Sequence, residues 1–130
     1  MRDEPEPGWI GEYVLDEHGN PMPERDTLAW AEWFGTHDRT VALTEFAWGA
    51  VSTVFLGIDH NFCPQPMRSP LTYKPILWET MVFGGHLDQE QVRYNSREKA
   101  LEGHRAMVKR CQKAYPEAEN RLFLEKTVPH

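Results

Sequence analysis

The chain has 130 residues, a formal net charge of −6, 40% hydrophobic and 26% charged residues. This length fits one compact domain over 1–130, with 1–25 as an extended N-terminal wrap and 26–130 as the core. The acidic balance argues against duplex nucleic acid as a partner, because such binding depends on Lys and Arg neutralising phosphates. No apolar run is long enough to cross a membrane, so we expect no membrane association and a cytoplasmic location. Cys63 and Cys111 form no Cys-x-x-Cys pair, which excludes a zinc ribbon of that spacing.

The first predicted helix follows the Pro- and Gly-rich N-terminal wrap. It runs from Thr27 to Phe34, with Asp26 as its N-cap and Gly35 just past its end. An aspartate at this position accepts hydrogen bonds from the free N–H groups of the first turn, and glycine favours the residue after a helix. The segment is short, so its stability must come from packing against the rest of the domain.

Three strands are predicted next, because their residues are β-branched, aromatic or alternating. The first two cover 39–47 and 50–60 and are joined by a tight turn at Trp48-Gly49. Gly57 indicates a bulge or a close backbone approach near the end of the second strand. The third strand, Ile76 to Phe83, is predicted to have two faces. One face carries Ile76, Trp78, Thr80 and Val82, and the other carries Leu77, Glu79, Met81 and Phe83.

The last strong element is a helix from about Ser96 to Tyr115. Asn95 is its predicted N-cap, with Glu98 completing a capping box. The segment from Leu122 to Val128 is predicted to form a short strand or a helical turn. The fold class is therefore α+β: a small antiparallel sheet of three to four strands, with the long C-terminal helix packed across one face. The apolar stripe of the helix follows the helical repeat and contains Ala100, His104, Met107, Val108, Cys111 and Tyr115.

Three polar residues lie in apolar surroundings and are candidate ligand-binding residues: His60, Glu79 and His104. An unpaired buried carboxylate is costly, so Glu79 either pairs with a cation such as Arg93 or contacts a ligand. His104 is either a satisfied core histidine or part of a site, and the neighbouring Gly103 indicates that the helix approaches the sheet or a ligand closely.

If the helix crosses near the third strand, we expect His104, Glu79 and either His60 or Asp59 to converge. Mixed His and carboxylate ligands suit Zn, Mn or non-haem Fe, so a metal-dependent hydrolase is an alternative. Asp59 and Asp88 are further candidates for that site, although Asp59 also suits a turn-capping role with Asn61.

Arg93 and Tyr94 precede the helix N-terminus. An arginine, an aromatic ring and free helix N–H groups together favour an anionic ligand such as a nucleotide phosphate. The alternative for Arg93 is an ion pair with Glu79 or Glu98.

Four blocks of the sequence, "DTLAWAEWF…DRTVALTEF", "VSTVFLGIDHNF", "PILWETMVFGG" and "RYNSREKALEGHRAMV", resemble an uncharacterised family of small bacteriophage and actinobacterial proteins. The resemblance covers roughly residues 12–110 and implies a phage-like setting without implying any chemistry. It supports a phage-type accessory protein that acts by binding a small anionic, nucleotide-like ligand or a host protein, and not by catalysis. The alternatives are the metal-dependent hydrolase and a virion structural or homo-oligomeric protein. No cofactor is indicated.

Overall fold

The computed structural model describes residues 11–61 and 73–129. Cys63 and the first ten residues of the predicted wrap lie outside these ranges. A short 3-10 turn, Glu117–Glu119, precedes the last strand. The helices and strands are β1 (Tyr13–Leu15), β2 (Pro21–Pro23), α1 (Thr27–Thr36), β3 (Thr40–Phe46), β4 (Gly49–Phe55), β5 (Trp78–Phe83), β6 (Gln91–Tyr94), α2 (Arg97–Lys113) and β7 (Leu122–Thr127).

The fold is α+β and is built on a five-stranded antiparallel sheet. Its strand order is β6-β5-β4-β3-β7, and β1 and β2 form a separate two-stranded ribbon. Helix α2 lies across one face and contacts β3, β4, β5 and β6. The predicted class is confirmed, but the predicted count of three to four strands is too low. The long helix α2 is not the last described element, because the strand β7 follows it.

The centre of the sheet follows the alternation in the sequence. Strands β3 and β4 form a hairpin whose turn is Ala47 and Trp48, since Phe46 pairs directly with Gly49. Phe55 pairs with Trp78 of β5, and Val51 pairs with Val82. These four residues are buried, and α2 contacts both strands. The two predicted faces are therefore confirmed over Trp78–Phe83, but the strand begins two residues later than predicted and Leu77, which precedes it, is buried in the core.

Helix α1 packs at the end of the sheet and contacts β1. Asp26 caps it by accepting hydrogen bonds from the N–H groups of Leu28 and Ala29, as predicted. The helix continues through Gly35 to Thr36, so the predicted end at Phe34 is two residues short. Gly57 has a φ of +78°, and a side chain there would meet the rings of Phe34 and Trp30. The predicted close approach at Gly57 is therefore confirmed.

The N-terminal ribbon joins α1 to the core through Glu12. This residue is 1% exposed. Its Oε1 accepts a hydrogen bond of 2.9 Å from the Thr27 hydroxyl, and its backbone carbonyl accepts one of 2.9 Å from the N–H of Glu24. Tyr13 and Leu15 of β1 then pack against the buried core. This part of the chain therefore packs against the core, and the division into a wrap over 1–25 and a core over 26–130 stays a prediction.

The core consists of two apolar clusters with a polar layer between them. The first cluster is centred on Phe55, Trp78 and Ala100, and the second on Val51, Val82 and Met107. Along β4, β5 and α2, the residues between these clusters are Thr53, Thr80 and His104. Each of these three is buried, so a layer of hydrogen-bonding groups crosses the interior. Neither described helix is long and apolar enough to span a bilayer.

Candidate functional site

His104 lies in the buried polar layer and has a partner on each ring nitrogen. Its Nδ1 shares a hydrogen bond of 2.7 Å with the Thr53 hydroxyl, and its Nε2 shares one of 2.9 Å with the Thr44 hydroxyl. The Thr53 hydroxyl is also 2.6 Å from that of Thr80. A neutral imidazole donates with one nitrogen and accepts with the other, so these threonines satisfy it completely.

Burial keeps the His104 ring uncharged. Desolvation, with a smaller contribution from the nearby Arg105 charge, lowers the pKa of His104 from 6.5 to about 4. An imidazole with such a pKa and two threonine partners has no free nitrogen to offer a ligand. Its place in the structure is that of a satisfied core histidine.

Glu79 lies on the opposite face of the sheet from His104, because Thr80, its neighbour in β5, faces the imidazole. Its Oε2 accepts a hydrogen bond of 2.9 Å from Nε of Arg93, and Arg93 lies directly opposite Glu79 on β6. The side chain of Glu79 is 14% exposed and that of Arg93 is 37% exposed. The carboxylate within the apolar run is therefore half of an ordinary cross-strand ion pair. The predicted convergence of Glu79 with His104 is wrong.

Arg93 and Tyr94 do not form one site, because consecutive residues of β6 point to opposite faces. Tyr94 lies on the α2 face, against Gly103, where an added Cβ would be 2.1 Å from its hydroxyl oxygen. Burial raises the pKa of Tyr94, and the nearby Thr80 hydroxyl opposes that effect. The close approach predicted at Gly103 is confirmed, and the tyrosine ring is what approaches.

Asp59 and His60 belong to the segment that follows β4. Asp59 Oδ1 accepts hydrogen bonds from the backbone N–H groups of Asn61, at 2.8 Å, and Ile76, at 2.9 Å. Its Oδ2 accepts one from the Tyr73 hydroxyl. His60 Nδ1 lies 2.7 Å from the Ile58 carbonyl oxygen. The predicted turn-capping role of Asp59 is confirmed.

The ligand set of the metal hypothesis is not assembled. Across 11–61 and 73–129, no three His, Cys, Asp or Glu side chains form a group that could hold a metal ion. Asp88, the further candidate, accepts a hydrogen bond of 2.7 Å from the backbone N–H of Gly84 and closes the turn after β5.

A cleft with a volume of about 320 Å³ opens at the N-terminus of α2. One wall is the turn between β1 and β2, and the opposite wall is the start of the helix. This α2 cleft lies at the start of the helix, where the sequence predicts an anion site, but its arginine is Arg97 and not Arg93. The cleft is lined by His18, Gly19, Asn20, Pro21, Trp78, Asn95, Ser96, Arg97, Glu98 and Pro129.

The first turn of α2 presents hydrogen-bond donors to this cleft. Ser96 is the N-cap and accepts a 3.1 Å hydrogen bond from the N–H of Lys99. The predicted cap at Asn95 with a capping box to Glu98 is therefore wrong by one residue. Among the backbone bonds of the described ranges, none uses the N–H of Arg97 or Glu98. Such N–H groups carry the positive end of the helix dipole and favour an anion.

Two buried polar atoms at the α2 cleft lack partners within the part of the chain that the structure describes. They are Nε1 of Trp78 and Oδ1 of Asn95. Trp78 is only 3% exposed, and a buried donor without a partner costs about 1–3 kcal/mol. Asn95 has lost the capping role that its sequence position suggested, which leaves its amide oxygen facing no donor.

A smaller recess, with a volume of about 20 Å³, adjoins the α2 cleft and shares Gly19, Trp78 and Arg97 with it. Arg39 also lines the recess. Its Nη1 donates a 2.9 Å hydrogen bond to the Phe55 carbonyl. Arg97 donates one N–H to the Val128 carbonyl. Both guanidinium groups are thus anchored and keep further N–H donors.

The turn between β1 and β2 is held by its own hydrogen bonds. Asp16 Oδ1 accepts from the backbone N–H groups of His18 and Asn20, each at 2.8 Å. The hydrogen bond from Asn20 makes the largest contribution to lowering the pKa of Asp16. Gly19 has a φ of +80°, a conformation that glycine adopts without strain. The cleft wall formed by His18 to Pro21 is therefore preorganised.

Sequence reasoning did not assign Arg97, Asn95 or the indole N–H of Trp78 to a site. Asn95 and Ser96 are adjacent and both are good caps, and the sequence-based prediction chose Asn95, which left no reason to expect its side chain to be free. Trp78 looked like a core residue, and by burial it is one. The sequence favoured Asn95, because Glu98 lies three residues after it as a capping box requires, whereas Lys99 follows Ser96 at that spacing.

Comparison of the chain with protein-family models, with curated proteins and with solved structures finds no match. The resemblance to a phage and actinobacterial family stays a prediction.

Proposed function

We propose that this chain binds a small anionic ligand in the α2 cleft and acts by binding, not by catalysis. The observation that carries the proposal is the Trp78 indole N–H, which is buried beside the helix N-terminus and has no hydrogen-bond partner among residues 11–61 and 73–129. The Arg97 guanidinium and the N–H groups of Arg97 and Glu98 add donors at the same place. From the sequence, we further propose that the ligand is nucleotide-like and that the protein acts in a cytoplasmic, phage-type setting.

The test follows the Trp78 indole N–H by ¹H–¹⁵N NMR during titration with inorganic phosphate, acetate, glycolate and AMP. Binding is expected to shift this resonance and to raise the melting temperature. A ligand at one hundred times its dissociation constant stabilises a protein by about 2.7 kcal/mol. If none of these anions moves the indole resonance, the proposal is wrong.

Two matched variants locate the binding. Arg97→Gln is expected to weaken anion binding about tenfold, because it removes a charged donor from the cleft. Arg93→Gln removes the same charge four residues earlier, on the opposite face of the sheet, and is expected to leave binding unchanged. Equal losses in both variants would point to unspecific attraction and would contradict a defined site.

A homo-oligomer is the second candidate, favoured by the edge strand β7. This strand pairs with β3 on one side and with no described strand on the other. Leu122, Phe123 and Leu124 are 50%, 59% and 41% exposed. An apolar edge strand offers unpaired backbone groups to a second copy of the same strand. Light scattering at increasing concentration tests this, and the single-chain mass of 15.1 kDa at all concentrations would contradict it.

A further inference from the structure

Helix α2 concentrates the positive charge of an otherwise acidic chain. Six of the 14 Lys and Arg residues lie between Arg97 and Lys113, beside only two of the 20 acidic residues. The net charge of the whole chain is −6, so the negative charge lies outside this helix. Salt screens exposed charges beyond about 8 Å at physiological ionic strength. An anion at the helix surface therefore responds mainly to the cations of α2.

The C-terminal half of α2 presents three of these cations in one row. Arg105, Lys109 and Lys113 follow one another at intervals of four residues and are exposed. Each step of four residues advances about 6 Å along the helix axis, so the row is about 12 Å long. Within residues 11–61 and 73–129, none of the three takes part in an ion pair.

Folding does not account for this row. Like charges four residues apart destabilise a helix. The helix dipole favours cations only in the last turn, which here contains Arg110 and Lys113. Arg105 and Lys109 lie before that turn. Arg110 has a partner of its own, since its Nη2 donates a 2.7 Å hydrogen bond to Glu90. The row needs another explanation, and an external anion with several charges supplies one.

A column of stacked aromatic rings lies at the end of the same helix. The ring of Trp48 stacks on that of Phe46, with centroids 5.0 Å apart, and on that of Tyr115, at 5.1 Å. His86 stacks in turn on Tyr115 at 4.5 Å, and its backbone N–H donates a 2.8 Å hydrogen bond to the Tyr115 hydroxyl. Because His86 is exposed, the column ends in an imidazole ring that solvent can reach.

The row and the column belong to one region of the surface. Tyr115 follows Lys113 by two residues, and the connection between β5 and β6 contains both His86 and Glu90. The ion pair of Glu90 with Arg110 holds this connection against the C-terminal half of α2. Cations that follow phosphates, next to a ring on which a base stacks, are the pattern that binds single-stranded nucleic acid. A duplex has no unstacked base for the ring, and an acidic peptide has no base at all.

We propose that the chain binds a short single strand of nucleic acid along α2, with phosphates at Arg105, Lys109 and Lys113 and one base stacked on His86. This surface is separate from the α2 cleft, which lies at the other end of the helix, so the proposal goes beyond the anion binding proposed above. The expectation that duplex nucleic acid is not a partner is unchanged.

The experiment measures the binding of a short, fluorescently labelled oligothymidylate to the full chain by anisotropy at several salt concentrations. Three phosphate contacts predict that log Kd rises with log salt with a slope of about 2. Lys109→Gln is expected to lower this slope by about 0.7 and to weaken binding about fivefold at about 0.1 M salt. The control Arg93→Gln removes one charge from the opposite face of the sheet and is expected to leave both quantities unchanged.

The variant His86→Ala tests the ring separately from the charges. It is expected to weaken oligothymidylate binding about tenfold, the usual loss for one stacked base, with the salt slope unchanged. Binding of an abasic oligonucleotide of the same length should not change. His18→Ala is the matched control, because it removes an exposed histidine at the other end of α2 and is expected to leave the binding of both probes unchanged.

Three results would overturn the proposal. The first is the absence of oligothymidylate binding at low salt. The second is a duplex or a polyglutamate peptide of equal charge that binds as tightly as the single strand, since neither uses the ring. The third is an equal loss of affinity in Lys109→Gln and Arg93→Gln, which would show unspecific attraction. None of these results bears on the α2 cleft, which Arg97→Gln tests separately.

Discussion

Helix α2 borders both the buried polar layer around His104 and, at its N-terminus, the α2 cleft. Both regions contain polar atoms that are not exposed to water. In the polar layer, both nitrogens of His104 have threonine partners. In the cleft, Nε1 of Trp78 and Oδ1 of Asn95 have none within the described ranges. The difference teaches that burial alone does not mark a functional residue. A polar group that folding leaves unsatisfied is the one that needs an explanation.

The largest expected effect is on the polar layer. His104→Ala removes the partner of both Thr44 and Thr53 and leaves a cavity between two apolar clusters. We expect a loss of about 3–4 kcal/mol in the free energy of unfolding, from the lost hydrogen bonds to Thr44 and Thr53 and the lost packing together. Urea denaturation monitored by tryptophan fluorescence measures it.

The matched control for this prediction is His86→Ala. His86 is exposed and stacks on Tyr115 at 4.5 Å between ring centroids, so its removal is expected to cost less than about 1 kcal/mol. Equal losses of unfolding free energy in the two variants would contradict the stabilising role assigned to His104.

The pH dependence of stability tests the same layer without disturbing its packing. The unfolded imidazole takes up a proton near pH 6.5, whereas folded His104 does so only near its pKa of about 4. Between these pH values the unfolded state binds more protons, so the free energy of unfolding falls as the pH is lowered. The contribution is fully present above pH 6.5, and the loss reaches about 3 kcal/mol near pH 4.

The measurement is denaturation at several pH values in the native chain and in His104→Ala. The variant should lack that part of the pH dependence while keeping the part due to the carboxylates. Parallel curves for the two proteins would mean that His104 is protonated as readily in the folded chain as in the unfolded one.

The parts of the fold that were predicted are those in which apolar residues recur with a regular period. Strands β3, β4 and β5 alternate, and the buried residues of α2 follow the helical spacing. Strand β6 was missed because it has four residues, of which three are exposed. Every residue of strand β7 is exposed. Its sequence therefore lacks the alternation of buried and exposed residues that would have distinguished a strand from a helical turn.

The candidate site was less predictable, for a physical reason that involves β5. Both faces of this strand carry apolar side chains, so its sequence does not show which face α2 covers. The helix covers the face of Trp78 and Thr80, which places Glu79 on the other side. The identity of the N-cap, Ser96 instead of Asn95, likewise depended on where the chain leaves β6, and that strand was not predicted.

A smaller effect is expected at Gly103, where α2 meets Tyr94. An added methyl group would lie 2.1 Å from the tyrosine hydroxyl oxygen and 2.3 Å from two ring carbons. Overpacking of this kind costs about 1–3 kcal/mol, while alanine in place of a helical glycine gains about 1 kcal/mol. We therefore expect Gly103→Ala to destabilise the chain by up to about 2 kcal/mol.

The sign of this effect should depend on the tyrosine. In a Tyr94→Val background the methyl group has space, so Gly103→Ala is expected to stabilise by up to about 1 kcal/mol. Thermal denaturation of the four members of this double-mutant cycle gives the coupling directly. A coupling near zero would mean that the ring does not pack on the glycine.

The smallest effect is expected for the ion pair between Glu79 and Arg93, on the face of the sheet away from His104. Both Arg93→Gln and Glu79→Gln remove one charge and keep a hydrogen-bonding side chain. Because the arginine is 37% exposed and the pair is screened by solvent, each change should cost less than about 1 kcal/mol. Chemical denaturation at low and high salt checks this, with high salt reducing the difference further. A loss several times larger, insensitive to salt, would indicate that Glu79 has a role beyond this pair and would reopen it as a candidate site residue.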